Sequence, residues 1–199
     1  MINFHNISKD APYKKFLKYY DLAKINKQNL IEAISISSFS KKHNEVNSRY
    51  VNLKYIRGSE WIFFTNYDSP KSNEFMEHNQ ICATFHWDAI NTQIRIKAKI
   101  SKTSKDFSDN HYANRSIEKN ILAHSSNQSE IISSYKMVKD KYELTKLKKD
   151  IIKHRPKNWG GFSFIPYYFE FWEGHENRLN KRECFLIENK KWEKYFLAP

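Results

Sequence analysis

The residues of this 199-residue chain best suited to chemistry are cations and hydroxyls at the ends of β-rich runs. Arg49 and Lys54 flank Tyr50-Val51-Asn52-Leu53, and Thr65 closes the next β-rich run. Lys71 falls in the first turn of a helix signalled by Asp68-Ser69-Pro70. A guanidinium fork, an ammonium, a hydroxyl and free helix amides together suit a phosphate monoester. Taken alone, basic residues at strand ends are more often solvent-facing than part of a site. Other chemistries are not signalled: there is no GxGxxG, GxxxxGK, HExxH or paired CxxC, and no serine-nucleophile elbow. The eight histidines are scattered without ligand spacing, so each reads as a core or surface histidine and no metal site is expected.

The charge agrees with an anionic partner without choosing one. Lys+Arg number 34 against 22 Asp+Glu, a formal net charge of +12, which attracts nucleic acid, anionic membrane and phosphorylated small molecules alike. Much of the lysine lies between Lys136 and Lys157, where alternation with Glu and Asp reads as a solvated helix face. Cys82 and Cys184 sit in apolar segments without metal-like spacing and read as small buried residues of a reduced compartment. No stretch resembles a signal peptide, and none approaches the roughly 18 apolar residues of a membrane span. The expectation is a cytoplasmic protein without a membrane partner, its core in a single domain spanning residues 1–199.

These residues must be positioned mainly by strands. Pro12 to Ile25 reads as an amphipathic helix with Phe16, Leu17, Tyr20 and Leu22 on its apolar face. Alternation over Ala33 to Phe39 and Tyr50 to Ile56, then Trp61 to Thr65, predicts three strands in a meander. A helix from Ser69 to about His78 follows, with Pro at an early helical position. Strands resume at Ile81 to Trp87 and at Thr92 to Ile100, the clearest period-2 run of the chain. Ser104 to Lys153 reads as helical, interrupted by a loop at Ala123 to Ser129. Gly161 to Trp172, Cys184 to Glu188 and Trp192 to Phe196 complete the strands, with Pro166 marking an edge or a bulge. The fold class is mainly β with helices, a β-barrel with helices packed on it.

Several segments, in order along the chain, resemble the pyridoxamine 5'-phosphate oxidase family. Ser48-Arg49-Tyr50-Val51-Asn52-Leu53-Lys54 is similar to its RxVLLK strand, and Phe64-Thr65-Asn66 with Ser69-Pro70-Lys71 to its YTN and SRK segment. Trp87 and Gln93 correspond to FPW and RQ, and Gln128-Ser129 to its QS pair. Trp159-Gly160-Gly161-Phe162 matches WGGF, and Glu170-Phe171-Trp172 matches EFW. Arg178 to Arg182 stands for RLHDR, and Phe196-Leu197-Ala198-Pro199 resembles the family's RLAP ending.

The resemblance implies an FMN-binding split β-barrel acting as a homodimer, with the flavin in a cleft between subunits. FMN would be held by Arg49, Tyr50, Val51, Asn52, Leu53, Lys54, Phe64, Thr65, Lys71, Gln93, Gln128, Ser129, Trp172 and Arg182. A phosphorylated B6 vitamer would meet Lys54, His111, Arg115, Lys119, Arg178 and Asn180, with Arg178, Asn180 and Lys54 as the catalytic group. The implied reaction converts pyridoxamine or pyridoxine 5'-phosphate to pyridoxal 5'-phosphate with O2 as acceptor, giving H2O2. No nucleic acid is needed to explain the charge, because two phosphate esters in one cleft call for many Arg and Lys. The sequence departs from the family at Pro70 (an Arg on the FMN phosphate), His111 (a tyrosine), Lys119 (a serine) and Asn180 (the His of RLHDR), and its N-terminal arm is short. Those departures fall mostly in the substrate half. They leave open an FMN oxidase of another, natural-product-like substrate, or a flavin-binding protein without turnover.

Overall fold

The computed structural model describes residues 1–199. Ten strands and six helices follow in the order β1 (Asn3–His5), α1 (Ala11–Ile25), β2 (Ala33–Ser40), β3 (Glu45–Asn52), β4 (Tyr55–Arg57), β5 (Glu60–Asn66), α2 (Pro70–Glu77), β6 (Gln80–Trp87), β7 (Thr92–Lys102), α3 (Lys105–Ala113), α4 (Ile117–Ser125), α5 (Lys136–Lys146), α6 (Lys149–Ile152), β8 (Trp159–Glu173), β9 (Lys181–Glu188) and β10 (Lys191–Leu197). All strands join one mixed sheet, ordered β1-β4-β5-β8-β7-β6-β2-β3, with β9 added to β8 and β10 to β9. No helix is long and apolar enough to cross a membrane.

The period-2 pattern of β7 survives intact. Thr92, Ile94, Ile96, Ala98 and Ile100 are buried, while Gln93, Arg95, Lys97 and Lys99 face away from the core. Strand β8 is the spine of the sheet. Its first half pairs with β5 and its second half with β9, while β7 runs along its other side. Pro166 therefore marks a bulge within a central strand and not an edge; the ladder with β7 shifts register between Lys97 and Ala98. The extra residue switches parity, so Phe162 and Phe164 before it and Phe169 and Phe171 after it all enter the core. There they meet Phe16 of α1 and Trp61 of β5, whose rings lie 4.5 Å apart.

Four expectations need correction. The run from Tyr50 to Ile56 is not one strand: β3 begins at Glu45, and the ladder breaks at Leu53-Lys54. The Leu53 amide donates to Glu32 O at 2.9 Å and the Lys54 amide to Ile62 O at 2.8 Å, so the backbone passes from one hairpin to another between them. Consequently β2–β3 and β4–β5 are separate hairpins and no meander forms. Helix α4 persists through Ser125, because Ile121 and Ser125, one turn apart, share a buried face; the irregular stretch runs from Ser126 to Tyr135. Cys184 is buried but Cys82 is half-buried, since it lies on the outward parity of β6 between buried Ile81 and Ala83.

Candidate active site

A cleft of about 720 Å³ lies beside the break at Leu53-Lys54. Arg49, Tyr50, Val51, Asn52, Lys54, Phe64, Thr65, Lys71, His111, Arg115, Lys119, Gln128 and Ser129 line it together. Leu53 does not: its side chain is fully buried in the core. Asn3, Asn114 and Ser116 line the cleft without having been expected there, and so does Trp159, noted only as part of a motif. Asn114 and Ser116 are turn residues between α3 and α4, and a polar turn carries no signal of the wall it will complete.

The lining holds five cationic side chains, Arg49, Lys54, Lys71, Arg115 and Lys119, and no carboxylate. They fall into two groups. At one end Lys71 is 7% exposed, its Nζ donating to Ser69 Oγ at 3.1 Å. Burial, with the nearby Arg49 charge, pushes its pKa down to about 8. At the other end burial lowers the Lys54 pKa, and repulsion from Lys119 and Arg115 adds to it against the pull of Glu32. Burial also lowers that of Arg115, whose guanidinium stands 4.1 Å over the Trp159 ring. His111 stacks on Phe64 at 3.6 Å, and its Nδ1 is 2.8 Å from the Tyr55 hydroxyl. Burial and the charges of Arg115, Lys54 and Lys119 push its pKa down to about 4, so it is neutral at pH 7.

Helix α3 is tied to the start of β8, which fixes this wall. Ser108 Oγ accepts the Gly161 amide at 3.1 Å, Tyr112 Oη donates to Ile152 O at 2.8 Å, and Arg155 Nε donates to Asp109 at 2.6 Å. Phe64, His111 and Trp159 then lie within 12° of one another in plane. Flat aromatic faces beside two cationic groups fit a flavin mononucleotide and a second phosphate ester.

Gln93, Trp172, Arg178, Asn180 and Arg182 lie outside this cleft. Gln93, Trp172 and Arg182 sit side by side across β7, β8 and β9. Glu170, 2% exposed, accepts Arg182 at 2.8 Å, Tyr168 Oη at 2.9 Å and Arg95 at 3.1 Å. Burial works to raise the Glu170 pKa, but hydrogen bonds from Arg182 and Tyr168 outweigh it and the pKa is lowered. Arg178 has a left-handed backbone (φ 59°) in the turn after β8, where Asn180 Oδ1 accepts the His175 amide at 3.0 Å. The expected site residues thus fall in two separate places on the chain.

Residues 159–199 match the family described as the pyridoxine 5'-phosphate oxidase C-terminal dimerisation region. The chain is 36% identical over 195 residues to the pyridoxine/pyridoxamine 5'-phosphate oxidase of Christiangramia forsetii, covering 96% of this chain and 89% of that protein. Among solved structures it is similar to PhzG from Burkholderia lata 383, in complex with tetrahydrophenazine-1-carboxylic acid (TM-score 0.87, 20% identity, 94% and 92% coverage). It is also similar to a pyridoxamine 5'-phosphate oxidase-related, FMN binding protein from Nostoc punctiforme (TM-score 0.78, 8% identity, 96% and 99% coverage). At those identities the two structures establish a shared FMN-binding split-barrel fold.

Proposed function

The chain belongs to the pyridoxine/pyridoxamine 5'-phosphate oxidase family, and from that premise we propose that it oxidises pyridoxamine or pyridoxine 5'-phosphate to pyridoxal 5'-phosphate, with FMN as cofactor, O2 as acceptor and H2O2 as product. The observation that carries the reading is the cleft itself, with five cationic side chains in two groups and no carboxylate. One group serves a cofactor phosphate and the other a substrate phosphate.

When bound, FMN would supply the two-electron redox chemistry. The protein supplies binding and orientation. Arg49 and Lys71 hold the cofactor phosphate, with Thr65, Gln128 and Ser129 nearby as hydrogen-bonding groups. Arg115 and Lys119 anchor the substrate phosphate, and Lys54 stands between the two ligands. His111, being neutral, contributes a hydrogen bond and a stacking face but no charge. Gln93, Trp172 and Arg182, with Arg178 and Asn180, close the cleft of a second copy in a homodimer, which fits the dimerisation region matched at residues 159–199. Arg178 covers the substrate ring. Asn180 donates a hydrogen bond there but cannot take up a proton at neutral pH.

The reading is tested by mixing FMN-loaded protein with pyridoxine or pyridoxamine 5'-phosphate without oxygen. The flavin absorption band is expected to bleach, then to recover in air with formation of pyridoxal 5'-phosphate. A flavin that stays yellow with both esters rejects this substrate class. His111 and Asn180 favour one second reading, an FMN oxidase of another substrate, and that outcome would point to it.

Lys71 makes cofactor binding pH-dependent. Its pKa in the free protein is about 8, and a phosphate dianion beside it raises that value, so FMN binding above pH 8 takes up a proton. FMN affinity is therefore expected to be flat from about pH 7 to 7.5, then to weaken by up to about tenfold per pH unit above 8. Flavin fluorescence titrations across this range check it. An affinity unchanged at pH 9.5 would separate Lys71 from the phosphate.

A further inference from the structure

Behind the cofactor end of the cleft lies a buried carboxylate that lines nothing. Glu74 of α2 is 6% exposed. Its Oε1 accepts Asn47 Nδ2 at 3.0 Å, and its Oε2 accepts both the Ser38 hydroxyl and an Arg49 Nη2 hydrogen at 2.9 Å from that nitrogen. Ser38 in turn accepts Arg49 Nη1 at 2.5 Å, and the Ile36 carbonyl accepts the same nitrogen at 3.4 Å. The guanidinium of Arg49 on β3 thus ties that strand to β2 and α2. Of the five N–H groups of an arginine, this leaves the Nε hydrogen and one Nη2 hydrogen without a protein partner, on a residue that lines the cleft.

We infer that Glu74 is a positioning residue for the cofactor phosphate, setting Arg49 so that its unused donors meet that group. The inference rests on the proposed function, which places the phosphate at Arg49. Glu74 never touches the ligand; it acts through the arginine. A carboxylate serving only as a fold ion pair would make the same contacts, so the test must separate phosphate recognition from folding.

Riboflavin lacks the phosphate and provides that separation. FMN and riboflavin dissociation constants are measured by flavin fluorescence for the wild type, Glu74→Gln, Arg49→Ala and the double variant. Glu74→Gln is expected to weaken FMN by about tenfold, the order of a charge-assisted hydrogen bond, while riboflavin affinity stays the same. In the Arg49→Ala background the same substitution is expected to have no further effect on FMN. If both flavins weaken together, or if the effect persists without Arg49, Glu74 is a fold ion pair and the inference is overturned. If Arg49→Ala leaves FMN affinity intact, the phosphate is not at Arg49 and the proposed cofactor site falls with the inference. Should Glu74→Gln fail to fold, Ser38→Ala removes the bridging hydroxyl and keeps the carboxylate. It is expected to weaken FMN selectively, and an equal loss for riboflavin would again overturn the proposal.

Discussion

Equal mixing of Arg115→Ala and Arg178→Ala protomers is expected to recover about a quarter of wild-type activity, as the symmetry of a two-site dimer requires. Each variant alone is expected to lose about thirtyfold or more, since truncating one partner of a desolvated charge pair costs about 2–5 kcal/mol. Arg115 lines the cleft and Arg178 does not. If Arg178 closes the partner's cleft, a mixed dimer has one site carrying both lesions. Its other site joins an intact cleft to an intact Arg178. Random reassociation makes about half of the dimers mixed, and half of the sites in each are sound. Co-expression with two different tags, followed by sequential purification, isolates the mixed species; it should carry about half the wild-type activity per dimer. Recovery indistinguishable from the separate variants would place both arginines in one protomer's site and remove the need for a shared cleft.

What the sequence made legible follows from the range over which each feature is determined. β7 could be read because its two faces meet different media along its whole length, core on one side and polar groups on the other. The entry to α2 could be read because Ser69-Pro70 is a local signal, and Lys71 came with it. The break at Leu53-Lys54 could not. It is set by the carbonyls of Glu32 and Ile62, which belong to two different hairpins, and the local alternation runs through it without a mark.

The site divides in the same way. Arg49, Lys54 and Lys71 stood out as cations at strand and helix ends, Arg115 and Lys119 only through the family resemblance, and the cleft gathers all five from β3, α2, the segment between β3 and β4, and the α3–α4 region. Glu74 was invisible because a glutamate one turn into a polar helix reads as solvated; only packing against Ser38, Asn47 and Arg49 buries it. The neutrality of His111 is likewise tertiary, a product of burial and of charges on three other segments.

Gly161→Ala is expected to destabilise the protein by about 2–3 kcal/mol, the cost of overpacking a close contact, and to lose FMN. A Cβ there would lie 2.6 Å from Thr103 Oγ1, 2.9 Å from Thr103 Cγ2 and 3.1 Å from Phe64 Cε1. Neither neighbour can yield freely. Thr103 is β-branched and its hydroxyl is hydrogen-bonded to Ser108 Oγ at 2.9 Å and to Gly161 O at 3.3 Å. Phe64 is held against His111 at 3.6 Å and forms the cleft wall. For a chain of this length the loss lowers Tm by about 4–12 °C, and displacement of Phe64 weakens FMN at the same time. Gly58→Ala is the control: Gly58 has φ 59° with nothing within 4 Å of a Cβ. Its strain costs about 1 kcal/mol and leaves FMN affinity unchanged. Thr103→Ala, placed in the Gly161→Ala background, removes the two nearest atoms and should return part of both losses. Melting curves and FMN titrations of the four proteins decide the matter: equal, mild effects at Gly58 and Gly161 would show that the second glycine is not required by close approach to the cleft wall.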